Sequence, residues 1–173
     1  TQLFYLMERA AQLHKIEKLL KKTGVVHDSP VYQDCFTYAR AQHVLGNMKG
    51  EEFLLYEKLF GVLTKNLPSP HIIIQLDASP DIIKNRISGR GRHYEQRISN
   101  NYLKTLLGLQ EKWLKNVPPK RKMRINTSRL NLADNHAHQQ KFINAVKALL
   151  RKNTNGRRQP LQKLKSPHKG ERY

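Results

Sequence analysis

Apolar positions recur at helical spacing over the first twenty-two residues. Leu3, Leu6, Ala10, Leu13, Ile16 and Leu20 share a face while Arg9, Lys15 and Lys18 lie elsewhere on the circumference, which predicts a helix from Thr1 to Lys22. Gly24 ends it, and Val25 and Val26 read as a short strand running into Asp28. A second amphipathic helix is expected from Val31 to Leu45, closed by Gly46 and Asn47, and a third from Gly50 to Asn66 with Phe53, Leu54, Tyr56, Leu59, Phe60 and Leu63 at core spacing. Pro68 and Pro70 break the chain before Ile72, Ile73, Ile74 and Leu76, a strand apolar on both faces, which calls for a sheet covered on both sides. Ser79 and Pro80 start a helix carrying Ile82, Ile83, Arg86 and Ile87, expected to stop near Gly89. Asn100 to Lys115 is helical with Leu103, Leu106, Leu107, Trp113 and Leu114. Met123 to Asn126 is a strand able to join the sheet, and Ala137 to Leu150 is a closing helix.

Charge changes this picture more than composition does. At 173 residues the chain suits one domain, yet 32 Lys and Arg stand against 13 Asp and Glu, a formal +19. Such a field favours a polyanionic partner, most often nucleic acid and less often an acidic membrane surface; a merely basic, solvated protein is the plain alternative. From residue 151 to 173 the chain holds Arg151, Lys152, Arg157, Arg158, Lys163, Lys165, Lys169 and Arg172 against one acid, with Pro160, Pro167 and no apolar period. This divides the chain into a folded domain over 1–150 and a basic extended tail over 151–173, whose cations suit RNA because each neutralised phosphate releases a counterion. An inert solvated tail has the same composition. The surplus is not confined to the tail, since the body keeps 24 basic and 12 acidic residues. The single Cys35 excludes an internal disulfide and a cysteine-based metal site, and the histidines show no paired ligand spacing, so no metal site is read. No run reaches membrane-helix length and no signal-peptide pattern opens the chain. A chain that begins in mid-helix without a cap is expected to be part of something longer.

One stretch carries candidate chemistry. Arg86, Arg90 and Arg92 lie within seven residues, at the end of a helix and just beyond it, on a segment that Gly89 and Gly91 allow to bend. A guanidinium fork takes two phosphate oxygens at once and keeps its charge, which suits a polyphosphate ligand. Spacing alone fits a solvated basic turn equally well. RISGRGRHYEQ after a strand ending LDASP resembles the lid of deoxynucleoside kinases, R-x-x-x-R-G-R-x-x-E-Q, and the resemblance runs from about Thr1 to Trp113. It implies a P-loop-kinase-like α/β fold, a doubly wound parallel sheet with helices on both faces. Arg86, Arg90 and Arg92 would then be the lid arginines over the phosphates, and Glu95 a contact to the nucleoside sugar. Gln2 and Arg9, seven residues apart on one helix face, match a base-recognising Gln and a substrate-contacting Arg, and Asp34 matches a carboxylate that also touches the base. Gln with Asp can read the donor and acceptor edge of a nucleobase. A helix-surface Gln and an Asp in a helix's first turn are the ordinary alternatives for each alone. In that family two neighbouring helices pair across a dimer, so an aromatic helix face here has an interface as its second reading.

The chain also departs from the family. Where the kinases have an acid, Arg, then Ser or Thr, it reads Asp28, Ser29, Pro30. Loss of one such electrostatic contact costs about 2.7–4 kcal/mol in the transition state. No G-x-x-x-x-G-K-[ST] occurs; in the family that loop, its strand and the general-base Glu precede the point matching Thr1. The leading expectation is therefore a catalytically inactive relative with no cofactor and no catalytic residue. It would serve as a structural subunit of a ribonucleoprotein, first of all the mitochondrial ribosome, with ribosomal RNA and neighbouring proteins as partners. The alternatives are a deoxynucleoside kinase, using ATP and magnesium, seen without its N-terminal part, and a kinase-like accessory subunit of a respiratory complex.

Overall fold

The structure, a computed structural model, describes residues 1–28, 30–95 and 97–154. In chain order the elements are α1 (Gln2–Leu20), α2 (Val31–Gln33), a π-helical segment (Asp34–Ala39), α3 (Arg40–Val44), α4 (Gly50–Leu63), β1 (Ile73–Asp77), α5 (Pro80–Arg90), α6 (Asn100–Lys115), a 3-10 turn (Pro119–Arg121), β2 (Lys122–Asn126) and α7 (His136–Thr154). They fall into two compact units, residues 1–68 with 98–115, and residues 69–97 with those from 116 onward.

The first unit is helical. Leu6, Ala10 and Leu13 supply the buried stripe of α1, Phe53, Tyr56 and Phe60 that of α4, and Leu103, Trp113 and Leu114 that of α6. The ring of Phe36 sits 5.7 Å from Phe60 and 6.0 Å from Trp113, so aromatic contacts join three elements. Each large apolar side chain buried this way contributes about 1.5–3 kcal/mol. The helix expected from Val31 to Leu45 forms, but its middle is wound as a π-helix. That wider turn buries Asp34, Cys35, Phe36, Thr37 and Ala39, and Thr37 Oγ1 donates to the Gln33 carbonyl. Arg40 pairs with Glu57 at 2.8 Å and lies over the Phe53 ring, fastening α3 to α4. Two expectations fail. Leu54 is exposed. Val25 and Val26 form no strand, because a strand needs a hydrogen-bonded neighbour and none of the described residues supplies one; Val26 is 100% exposed.

The second unit is α/β. β1 and β2 pair in parallel, from Ile73 opposite Lys122 to Asp77 opposite Asn126, as the strand expected at Met123 to Asn126 requires. Ile73 and Gln75 are buried while Leu76 is 50% exposed, so β1 alternates where the sequence suggested burial on both faces. Ser79 Oγ accepts from the Ile82 N–H, Pro80 occupies the first turn, and Gly91, at φ +67°, ends α5 in the left-handed region. The helix thus runs to Arg90 and is capped by Gly91, two residues beyond Gly89. At the other end α7 continues through Thr154, so Arg151 and Lys152 are helical and the boundary of the basic tail moves beyond them. No helix among the described residues is long and apolar enough to cross a membrane.

Candidate functional site

A cleft of about 190 Å³ opens in the first unit, lined by Gln2, Tyr5 and Arg9 of α1, Asp34 and Tyr38 of the π-helical segment, and Tyr102 of α6. Positions 2, 5 and 9 share one face of a helix, and Asp34 and Tyr38 stand about one turn apart. Ser99 Oγ accepts from the Tyr102 N–H at 3.1 Å, which caps α6 and fixes where its first turn presents Tyr102; the phenol also shares a hydrogen bond with Gln42. Asp34 is 3% exposed. Its Oδ1 is ion-paired with Arg9 Nη1, whereas its Oδ2 is buried with no hydrogen-bond partner. Burial raises the Asp34 pKa to about 6 against the opposing charge and hydrogen bond of Arg9. Burial first, and the Arg9 charge second, push His27 below its ordinary range, so its imidazole is neutral near pH 7. Burial also raises the Tyr38 and Tyr102 phenols, which stay protonated.

Arg9, whose Nη1 is buried without a hydrogen-bond partner, has its charge engaged by Asp34, and the cleft's lining among the described residues holds no second cation. It offers a carboxylate oxygen lacking a donor, the amide of Gln2, and three phenol rings. A planar, uncharged molecule with an N–H donor on its edge satisfies all three. The volume is below the roughly 300–1,000 Å³ of most ligand pockets, enough for a heterocycle but not for a whole nucleotide.

The arginine cluster lies in the second unit and its members differ. Arg86 Nη1 donates to Thr127 Oγ1 at 2.9 Å and Nη2 to the Thr127 carbonyl at 2.6 Å. Thr127, itself buried, donates through Oγ1 and its N–H to the Asp77 carbonyl at 2.9 and 2.8 Å. Arg86 therefore braces α5 to the carboxyl ends of β1 and β2, whereas it was expected among the phosphate contacts with Arg90 and Arg92. Arg90 and Arg92 are each 54% exposed and flank the left-handed Gly91. They pair with the two oxygens of Glu95, Arg90 Nη2 with Oε2 at 3.2 Å and Arg92 Nη1 with Oε1 at 3.3 Å. The carboxylate expected at a sugar is thus held by the lid arginines.

The structure brings Gln2, Arg9 and Asp34 together in one cleft and places Arg90, Arg92 and Glu95 in one cluster. Arg151 and Lys152 are exposed on α7. Ser29, Gln96 and the tail residues Arg157, Arg158, Lys163, Lys165, Lys169 and Arg172 lie outside the described residues. Sequence reasoning missed Tyr5, Tyr38 and Tyr102. Tyr5 lies between Gln2 and Arg9 on one helix face and Tyr38 four residues beyond Asp34, so both carried a local signal; Tyr102 did not.

Residues 1–151 match the protein family described as deoxynucleoside kinase. The chain belongs to the deoxynucleoside kinase family. It is 31% identical over 130 residues to the deoxyadenosine/deoxycytidine kinase of Bacillus subtilis (strain 168), covering 72% of this chain and 58% of that one. It is 29% identical over 116 residues to the deoxyguanosine kinase of the same organism, covering 67% and 54%. A deoxyguanosine kinase of Lactobacillus johnsonii matches at 25% over 158 residues, covering 87% of this chain and 69% of that one. The chain spans little more than half the length of the two Bacillus kinases. This kinship gives the P-loop-kinase-like α/β fold that the lid motif implied. None of these relatives is described as a ribosomal or respiratory-complex protein, so kinship favours the kinase alternative over the ribonucleoprotein expectation.

Proposed function

We propose that this chain carries the nucleoside pocket and lid of a deoxynucleoside kinase, which moves the terminal phosphoryl group of a nucleoside triphosphate to a sugar hydroxyl of a deoxynucleoside. In that reaction the hydroxyl gives up its proton, its oxygen forms the new P–O bond, and the bond to the nucleoside diphosphate breaks. The observation that carries this reading is the Arg9–Asp34 pair with its unsatisfied Oδ2 beside Gln2 in a tyrosine-lined cleft. An exocyclic amine of adenine, guanine or cytosine supplies the donor that oxygen lacks, whereas the one edge donor of thymine, N3–H, is flanked by the O2 and O4 carbonyls, which a carboxylate repels. The relatives' names, which cover deoxyadenosine, deoxycytidine and deoxyguanosine, support the same class. Arg90 and Arg92 suit the phosphate charge, because exposed guanidiniums on a glycine bend can exchange Glu95 for phosphate oxygens. Magnesium neutralises phosphate charge when bound with the nucleotide. No group of three acids, imidazoles or thiols that could hold a metal ion gathers among the described residues.

The reading of an inactive ribonucleoprotein subunit rests on the missing phosphate-loop motif, Ser29 in place of Arg, the net charge and the basic tail, and none of these bears on the cleft. Calorimetric titration of the 173-residue chain with deoxyadenosine, deoxyguanosine, deoxycytidine and thymidine tests the proposal. At least one amine-bearing nucleoside should bind, thymidine should bind at least about tenfold more weakly, and Asp34→Ala should abolish the difference. Equal binding of all four, or none by any, would overturn it.

A further inference from the structure

The kinase reading leaves the charge unexplained. The first unit holds 12 basic and 8 acidic residues, close to balance, while the described part of the second holds 14 and 4. Residues 116–154 alone contribute nine of those cations and a single acid, Asp134. Within this stretch α7 has no acidic residue over nineteen positions. Lys141, Lys147, Arg151 and Lys152 fall on one side of that helix, opposite Phe142, Val146 and Leu149, and all four are exposed. Lys120 and Arg129, from the segments flanking β2, are exposed as well. A nucleoside and one triphosphate do not call for so many cations on a helix outside the arginine cluster.

We infer that the basic side of α7, with Lys120 and Arg129, binds the phosphodiester backbone of a single-stranded nucleic acid. The ligand is a strand because the cations run from Lys141 to Lys152 along the helix, about 17 Å at 1.5 Å per residue, which matches a line of phosphates and not a point anion. It is nucleic acid and not a lipid surface because Phe142, Val146 and Leu149 are partly covered in the folded chain, and the exposed Ile143 and Leu150 alone are too few for the apolar face that a membrane would receive. Binding is sequence-independent, since no base-reading side chain is needed and each contact releases a counterion.

Fluorescence anisotropy of a labelled 30-nucleotide single-stranded RNA, across a salt series from 50 to 300 mM, tests this. With four to six phosphates contacted, the log–log slope should be about −3 to −4, at roughly 0.7 per contact. Lys141→Glu with Lys147→Glu should weaken binding about tenfold or more and flatten the slope by about 1.4. Lys15→Glu with Lys18→Glu on α1 makes the same change in net charge and should stay within about twofold of it unchanged. Lys141→Gln with Lys147→Gln gives a milder second variant, circular dichroism checks the helix in each, and a chain truncated after residue 154 should keep the difference between the two lysine pairs. Three results would overturn the inference: no RNA binding at 50 mM salt, equal losses from the α1 and α7 pairs, or capture by phosphatidylglycerol vesicles at conditions where RNA is not bound. The nucleoside titration is a separate measurement, so either proposal can fail alone.

Discussion

The two units treat charge in opposite ways. The first carries few uncompensated charges and hides its decisive one, the Asp34 carboxylate, behind Arg9; the second is strongly basic and spreads its cations over the outside. Arginine shows a related contrast inside the second unit, where Arg86 is bonded to buried Thr127 while Arg90 and Arg92, both more than half exposed, share the largely covered carboxylate of Glu95. Residue type therefore does not give role here. What differs is the partner, since Arg86 is itself exposed but is bonded to buried Thr127, and the partner predicts which changes cost stability, which alter binding and which respond to salt.

The largest effect is expected at Arg86. Arg86→Ala removes two charge-assisted hydrogen bonds and leaves the Thr127 groups to find other partners, at about 3 kcal/mol in total, the low end of two bonds at roughly 1.5–3 kcal/mol each because Arg86 itself is exposed. Arg86→Lys should recover less than half, because an ammonium cannot reproduce the fork. Urea unfolding monitored by circular dichroism measures both. If Arg86→Ala is as mild as Arg90→Ala, the division between bracing and exposed arginines is wrong.

Asp34→Ala comes next. It strips Arg9 of its partner and leaves that guanidinium partly buried, which should destabilise the first unit by about 1–3 kcal/mol, below the value for a fully buried pair because Arg9 retains some solvent. Asp34→Asn keeps the shape and a hydrogen-bonding oxygen, so it should cost less stability while still losing most preference for amine-bearing nucleosides. Comparing urea midpoints with nucleoside affinities for the two variants separates packing from recognition.

This unevenness also explains what the sequence could tell. The family was legible because RISGRGRHYEQ is local and specific, and the stripes of α1, α4 and α6 followed from apolar spacing. Gln2, Arg9 and Asp34 were also placed correctly as neighbours, through likeness to the kinases. Helical periodicity cannot distinguish an α-helix from the π-helical turn at Asp34–Ala39, because the apolar positions are the same and only backbone hydrogen bonding differs. Nor can it reveal that Arg86 reaches Thr127, forty-one residues away, or that Tyr102 of α6 lines a cleft with α1. Such contacts arise only when the chain closes on itself. The strand expected at Val25 and Val26 failed for the same reason: β-branched residues favour a strand, but a partner makes one.

Asp34 predicts a smaller effect of pH on the first unit. A carboxyl whose folded-state pKa, about 6, lies above its ordinary 3.8 binds more protons folded than unfolded. Its contribution to stability therefore falls as pH rises from about 4 to about 6 and is most favourable below that window. His27, lowered by burial, acts with the opposite sign near its ordinary value of 6.5. The informative measurement is thus the difference in Tm between wild type and Asp34→Asn across pH 4 to 7, with His27 common to both. That difference should shift against wild type as pH rises; a flat difference would mean that Arg9 holds the carboxyl near its ordinary value.

The smallest effect is expected at Glu95→Gln, and its value lies in how it answers to salt. The carboxylate is largely covered, but both arginines it holds are more than half exposed, so water and ions screen the pairs and the loss should be about 0.5–1 kcal/mol. Raising salt from 0.05 to 0.5 M should erase most of that difference in urea midpoint, while leaving the Arg86→Ala difference nearly intact because Thr127 is out of solvent. Glu95→Gln should also free Arg90 and Arg92 and so strengthen binding of inorganic triphosphate, read by calorimetry at matched ionic strength. Stronger anion binding with little lost stability would place Glu95 as a displaceable counterion of the lid. A large, salt-independent loss of stability with no gain in anion binding would instead make Glu95 a fixed part of the scaffold, and the contrast between braced and exchangeable arginines would then reduce to one of degree.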